Sequence, residues 1–175
     1  DKKLKDRKLR NVIASETSKP WKFISNKVYL DEQRIKLDKR LLTNYYKNKG
    51  YYLSKINDTF VESQKNNSFK LVFNIEAGEK FFFNDLKLEL PRDFNKDHFR
   101  GITKVLNKLK GKKYSLNNIE KILDEVDKIA LSKQYEFVNA KIKEKIIDKN
   151  KLDFVITMEE TEKFYVEKIN ISGNN

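Results

Sequence analysis

The sequence predicts an α+β protein made of tandem copies of one β-α-α-β-β unit, in which two helices cover one face of a three-stranded sheet. Three observations predict it. The stretch from Asn74 to Leu90 returns as Thr157 to Gly173, and Leu41 to Leu53 answers to Glu125 to Phe137. The offset is about 83 to 84 residues, the mark of a repeated supersecondary unit. Between the matching stretches, period-2 strands alternate with period-3.6 helices in a fixed order.

The strands come first. Phe69, Leu71, Phe73 and Ile75 share one face against Lys70, Asn74 and Glu76; Leu152, Phe154, Ile156 and Met158 do so against Asp153, Thr157 and Glu159. Such alternation marks strands buried on one side. Each leads through a short link into another alternating run, with Leu86, Leu88 and Leu90 in the first copy and Ile169 and Ile171 in the second.

The helices follow. Phe99, Ile102, Val105, Leu106 and Leu109 form one apolar stripe; Ile119, Ile122, Leu123, Val126, Ile129 and Ala130 form another, with Ser115 as its N-cap. The earlier counterpart runs through Ile35, Leu37, Leu41, Leu42, Tyr45 and Tyr46, capped by Asp31 and ended by a left-handed Gly50. Leu4 to Ser15 also reads as helix. One complete unit therefore runs strand 81–90, helix 96–109, helix 115–133, strand 137–147 and strand 151–159. The preceding unit lacks only its first strand, and only a first strand, Phe164 to Ser172, follows. That last strand, without a sheet of its own, is expected to be disordered or to fill a neighbour's vacant edge.

Composition narrows the function. The net charge is +12, and residues 1–50 hold 15 Lys/Arg against 6 Asp/Glu. A basic half invites an anionic partner, although Lys is abundant throughout. With no Cys there is no disulfide and no thiolate site. The single His (His98) stands on a helix among charged neighbours, which favours a surface role over a general base. Glu159, Glu160 and Glu162 lack the spacing of a calcium loop. Neither a phosphate-cradling glycine loop nor a nucleophile elbow is present. No enzyme activity, cofactor or metal is expected.

A specific set of motifs carries a resemblance. Tyr46-x-x-x-Gly50-Tyr51 stands where helix meets strand, and Ile75-Glu76-Ala77-Gly78-Glu79 at the unit boundary. Gly111-x-x-Tyr114 precedes the second helix, and Phe164 to Asn174 closes the chain. In this order they resemble the POTRA domains of the outer-membrane β-barrel assembly factors, whose periplasmic arm has five such domains with three-stranded mixed sheets. The resemblance covers essentially the whole chain. It implies that residues 1–79 correspond to the third POTRA domain without its first strand, 80–162 to the complete fourth, and 163–175 to the first strand of the fifth. It also accounts for the long connection from Glu16 to Leu30. Two residues depart from the pattern: Thr161 stands at a usual boundary glycine, and Gln134 where the other copy has Gly50.

The resemblance implies a periplasmic scaffold that binds unfolded outer-membrane proteins by β-augmentation and docks accessory lipoproteins such as BamB. The residues supply a physical reason, because an unpaired strand edge accepts an extended chain with little regard to sequence. The candidate edge runs from Tyr51 to Glu62, where alternation fails across Asn57-Asp58, the sign of a β-bulge. Its expected contact residues are Leu53, Ile56, Thr59, Phe60 and Val61. Ala77, Gly78, Glu79 and Thr161 are the expected interdomain hinge. Phe81, Phe83, Tyr52 and Trp21 are the candidate exposed aromatics. An anionic lipid surface is a further candidate partner. A basic nucleic-acid-binding module is the alternative of a different class, but nucleic acid is not the expected partner: a KH-type module needs a Gly-x-x-Gly loop, and only Gly111 stands between the helices here. Other POTRA-bearing transporters, TamA or two-partner secretion proteins, share the pattern and remain open alternatives.

Overall fold

The computed structural model describes residues 3–15, 32–63, 69–135 and 138–160. Asp31, Trp21, Phe137, Thr161 and the strand expected from Phe164 lie outside them. In chain order the elements are α1 (Asp6–Arg10), α2 (Glu32–Asn48), β1 (Lys55–Ser63), β2 (Phe69–Glu76), β3 (Phe82–Glu89), a 3-10 turn (Lys96–Phe99), α3 (Arg100–Leu109), α4 (Leu116–Ser132), β4 (Val138–Asp148) and β5 (Lys151–Glu160). The helix expected over residues 4–15 is thus a single short turn and a half.

Two sheets form. The first pairs β1 with β2, antiparallel; the second has the order β3-β5-β4, with β3 parallel and β4 antiparallel to the central β5. That mixed three-stranded sheet carries its two helices on one face, as the repeat predicts. The burial pattern explains why. Leu152, Phe154, Ile156 and Met158 of β5 are buried together with Ile102 and Leu106 of α3 and Ile119, Ile122 and Val126 of α4. Phe83, Phe154 and Tyr114 add an aromatic centre, with ring centroids 5.5 to 6.0 Å apart.

The first core is smaller. Leu42, Tyr46, Tyr51, Ile75 and Ala77 are buried, and Leu9, Val12, Ile13, Ile56 and Phe73 pack against them. At its heart lies a carboxylate, Asp38, which is fully buried. It accepts the Ala14 amide at 2.7 Å, the Ser15 amide at 3.2 Å and the Ser15 hydroxyl. These bonds tie the segment after α1 to the middle of α2. The spacing Ile35, Asp38, Leu42, Tyr46 puts this aspartate on the apolar stripe, a signal the stripe of hydrophobic residues alone does not convey.

Two expectations need correction. Phe81 and Phe83 are 2% and 1% exposed, so they are core, and Phe82 is the exposed ring. The cause is a register shift between Phe83 and Leu86, which inverts the phase that Leu86 and Leu88 set. Ser115 holds the N-cap backbone position of α4 but makes no cap bond with its own helix. Its place is taken by a residue of the other unit. Gln134 does adopt the left-handed conformation of its counterpart, with φ +58° against +98° for Gly50. A side chain there costs about 1 kcal/mol or more.

Candidate functional site

The β1 edge is built from a broken alternation. Ile56 pairs with Ile75, but Asp58, not Asn57, pairs with Asn74, so Asn57 is an extra residue. This is a β-bulge where the pattern fails. Beyond it, Thr59 and Val61 lie opposite Phe73 and Leu71 and share their core-side face; Phe60 lies opposite Val72 on the uncovered face. Among the described residues β1 has no strand beside its outer edge.

Of the five expected contact residues, Leu53 is 48%, Phe60 54% and Val61 38% exposed, whereas Ile56 and Thr59 are half-buried. Leu53 precedes β1 and lies in a turn rather than on the strand. The other four are brought together along one strand. The Thr59 hydroxyl is buried without a hydrogen-bond partner.

The other edges differ. Along β3, the backbone between α3 and α4 runs beside the strand: the Phe83 amide donates to Lys112 O (2.9 Å), the Gly111 amide to Phe83 O (2.7 Å) and the Tyr114 amide to Phe81 O (2.9 Å). The chain itself covers the start of that margin. On β4, Lys141, Lys143 and Lys145 line one face and are exposed; Lys141 pairs with Glu159 at 2.6 Å, which holds that carboxyl below its usual range. Edge lysines resist strand addition, because pairing would bury their charges beside a guest. The far edge of β2 also has no strand beside it among the described residues, whereas β3 occupies the matching edge of β5.

The expected hinge sits in a braced junction. Ala77 is 1% exposed, and Gly78 has φ +69°. Lys3 Nζ donates to Gly78 O at 3.2 Å and lies 3.5 Å from Glu79. Next to this link the two units touch. The Phe81 amide donates to Gly50 O at 2.8 Å. The Tyr52 ring packs against Phe81 and Tyr114, with centroids 5.4 and 5.2 Å away. Burial, and then a hydrogen bond with Glu144 of β4, push the Tyr52 phenol up from its ordinary value. Gly50 is required twice over: its φ is left-handed, and a Cβ would meet Lys113 Cγ at 2.6 Å. Sequence reasoning found the link but missed these contacts, because they join residues of different units.

No reaction chemistry gathers at either place. His98 Nδ1 lies 3.1 Å from the Tyr135 hydroxyl in an aromatic packing cluster with Phe94. Among the described residues, no group of three or more His, Asp or Glu side chains is placed to hold a metal.

A mixed three-stranded sheet with two helices on one face matches the architecture of solved POTRA domains. The POTRA family (surface antigen variable number repeat) matches residues 1–78. The particular protein whose POTRA domains this chain resembles is BamA. The chain is 25% identical over 172 residues to the outer membrane protein assembly factor BamA of Neisseria meningitidis serogroup B, spanning 97% of this chain and 21% of that protein. It is 22% identical over 170 residues to BamA of Neorickettsia risticii, spanning 97% of this chain and 22% of that protein. The chain thus covers about a fifth of the length of these relatives. Among solved structures, the crystal structure of Haemophilus influenzae BamA POTRA3-5 superposes with a TM-score of 0.70 at 14% identity, over 100% of this chain and 68% of that one. BamA from Haemophilus ducreyi lacking POTRA domains 1-3 gives 0.59 at 11% identity, over 79% of this chain and 25% of that one.

Proposed function

We propose that this chain is a scaffold in outer-membrane protein assembly, on the periplasmic side, and that it holds extended polypeptide along β1. Residues 1–79, 80–162 and 163–175 are read as successive POTRA units or parts of them. The role rests on the resemblance to BamA, an outer membrane protein assembly factor by name. The site rests on one observation: among the described residues β1 has no strand beside its outer edge and Phe60 and Val61 are exposed, whereas the start of β3 is paired with backbone and β4 is lined with lysine. Each main-chain hydrogen bond contributes only about 1 kcal/mol net, so a strand of a few residues binds weakly and leaves readily. That suits a surface that passes unfolded barrel precursors onward. An accessory lipoprotein such as BamB would dock by the same edge, in competition with the precursor.

The test gives β1 the armour of β4. Phe60→Lys, on the uncovered face, leaves the core-side Ile56, Thr59 and Val61 in place and should reduce binding of an alternating barrel-strand peptide at least tenfold. Unchanged binding, with the amide spectrum of the first sheet intact, would overturn the site.

A further inference from the structure

We propose that Asn48 is a latch: a residue of the first unit that caps a helix of the second and so holds the link at 77–79 in one attitude. The start of α4 needs an acceptor, since the first amides of a helix have no partner within it. The Ser115 carbonyl accepts from Asn118 and Ile119, but its side chain at the cap position does not supply one for the amide before them. Asn48, the last residue of α2, does. The Asn117 amide donates to Asn48 Oδ1 at 2.7 Å, and Asn48 Nδ2 returns a bond to Asn117 Oδ1 at 2.9 Å. The Ser115 hydroxyl turns away from its own helix and donates to the same Oδ1 at 3.3 Å. The end of one helix thus completes the beginning of another, 69 residues further on.

The capping geometry works only when the units keep their present relation. A cap bond requires an oxygen within about 3 Å of an amide in line with it. A small rotation about Gly78 carries Asn48 away from α4 and leaves the Asn117 amide to water. The Phe81–Gly50 hydrogen bond and the Tyr52 packing break with the same movement, because all three lie on the same end of the first unit. Asn48 is therefore a positioning residue. It keeps the β1 edge at a set angle to the second sheet, and the hinge turns when it lets go. The inference concerns the junction and stands whether or not β1 captures a guest.

The chain has no cysteine, so Lys36→Cys on α2 and Lys128→Cys on α4, both exposed, accept spin labels cleanly. Pulsed electron double resonance should give one narrow distance distribution in the parent chain. Asn48→Ala should raise the separated population about fivefold, the change that loss of a helix cap represents. Asn48→Asp keeps the acceptor oxygen and should restore the narrow peak. If the alanine variant does not fold, Asn48→Gln, which moves the amide by one methylene, carries the same expectation as alanine. A broad parent distribution, or an alanine or glutamine variant indistinguishable from the parent, would overturn the latch.

Discussion

The two units share a plan and differ in what they leave exposed. The second has a complete mixed sheet, an aromatic core and two guarded margins: one paired at its start with the α3–α4 backbone, one lined with Lys141, Lys143 and Lys145. The first has a small core around a buried carboxylate, a bulged strand, and an edge whose centre is Phe60 and Val61. The difference teaches that a repeated fold can divide its labour. One copy is finished as a structural piece, while the other leaves an edge with no strand beside it among the described residues.

The largest effect should come from the finished core. Phe154→Ala removes the ring between Phe83 and Tyr114 and should cost about 3–5 kcal/mol, read from urea titration of amide peaks in α4 and β5. The first unit's peaks should fall out of step with these; a single shared transition would show that the units are not separable in this way. Next, Asp38→Ala strands two amides and a hydroxyl beneath α2. It should cost about 2–3 kcal/mol, with the peaks of residues 8–15 lost first. An effect confined to surface values, below about 0.5 kcal/mol, would remove the carboxylate from the account of the first core.

The edges can be exchanged. Replacing Lys141, Lys143 and Lys145 by Thr removes the charges from β4 without touching its core side. A barrel-strand peptide that ignores the parent β4 should then protect its amides from exchange, an effect of about tenfold in affinity or less. If β4 stays unoccupied without its lysines, charge is not what separates the two margins.

Smaller effects concern the ends of the repeat. Gln134→Gly gives the left-handed position the residue its counterpart Gly50 already has, and should stabilise the second unit by about 0.5–1 kcal/mol. An unfolding midpoint that does not move upward contradicts this. The junction should also respond to alkali. Because folding raises the Tyr52 phenol above 10.0, its contribution is complete below that pH and is lost as pH rises through the higher folded value. Tyr52→Phe should flatten the alkaline limb of the stability curve; an unchanged limb excludes this phenol as its cause.

Much of this was legible in the chain. Alternation gave β2 and β5, the apolar stripes gave α2, α3 and α4, and the lapse at Asn57-Asp58 located the bulge of β1. What was hidden lay beyond a residue's own neighbourhood. The phase of β3 depends on a bulge at Asn84-Asp85 that no apolar pattern marks. Asp38 looks like solvent-facing charge until the segment after α1 arrives to use it. Asn48 and Ser115 exchange roles across two units, and local capping rules see only one helix at a time. The faces of β1 could be placed from alternation; which edge stays open could not, because that is decided by what other segments cover.

The central claim is that β1, and not β4, takes the guest. The direct measurement is site-specific photo-crosslinking inside the cell, with the reactive side chain placed at Phe60 or at Lys143. Unfolded barrel precursors should be captured from position 60 and not from 143. Equal capture at both positions, or capture from 143 alone, would contradict the account.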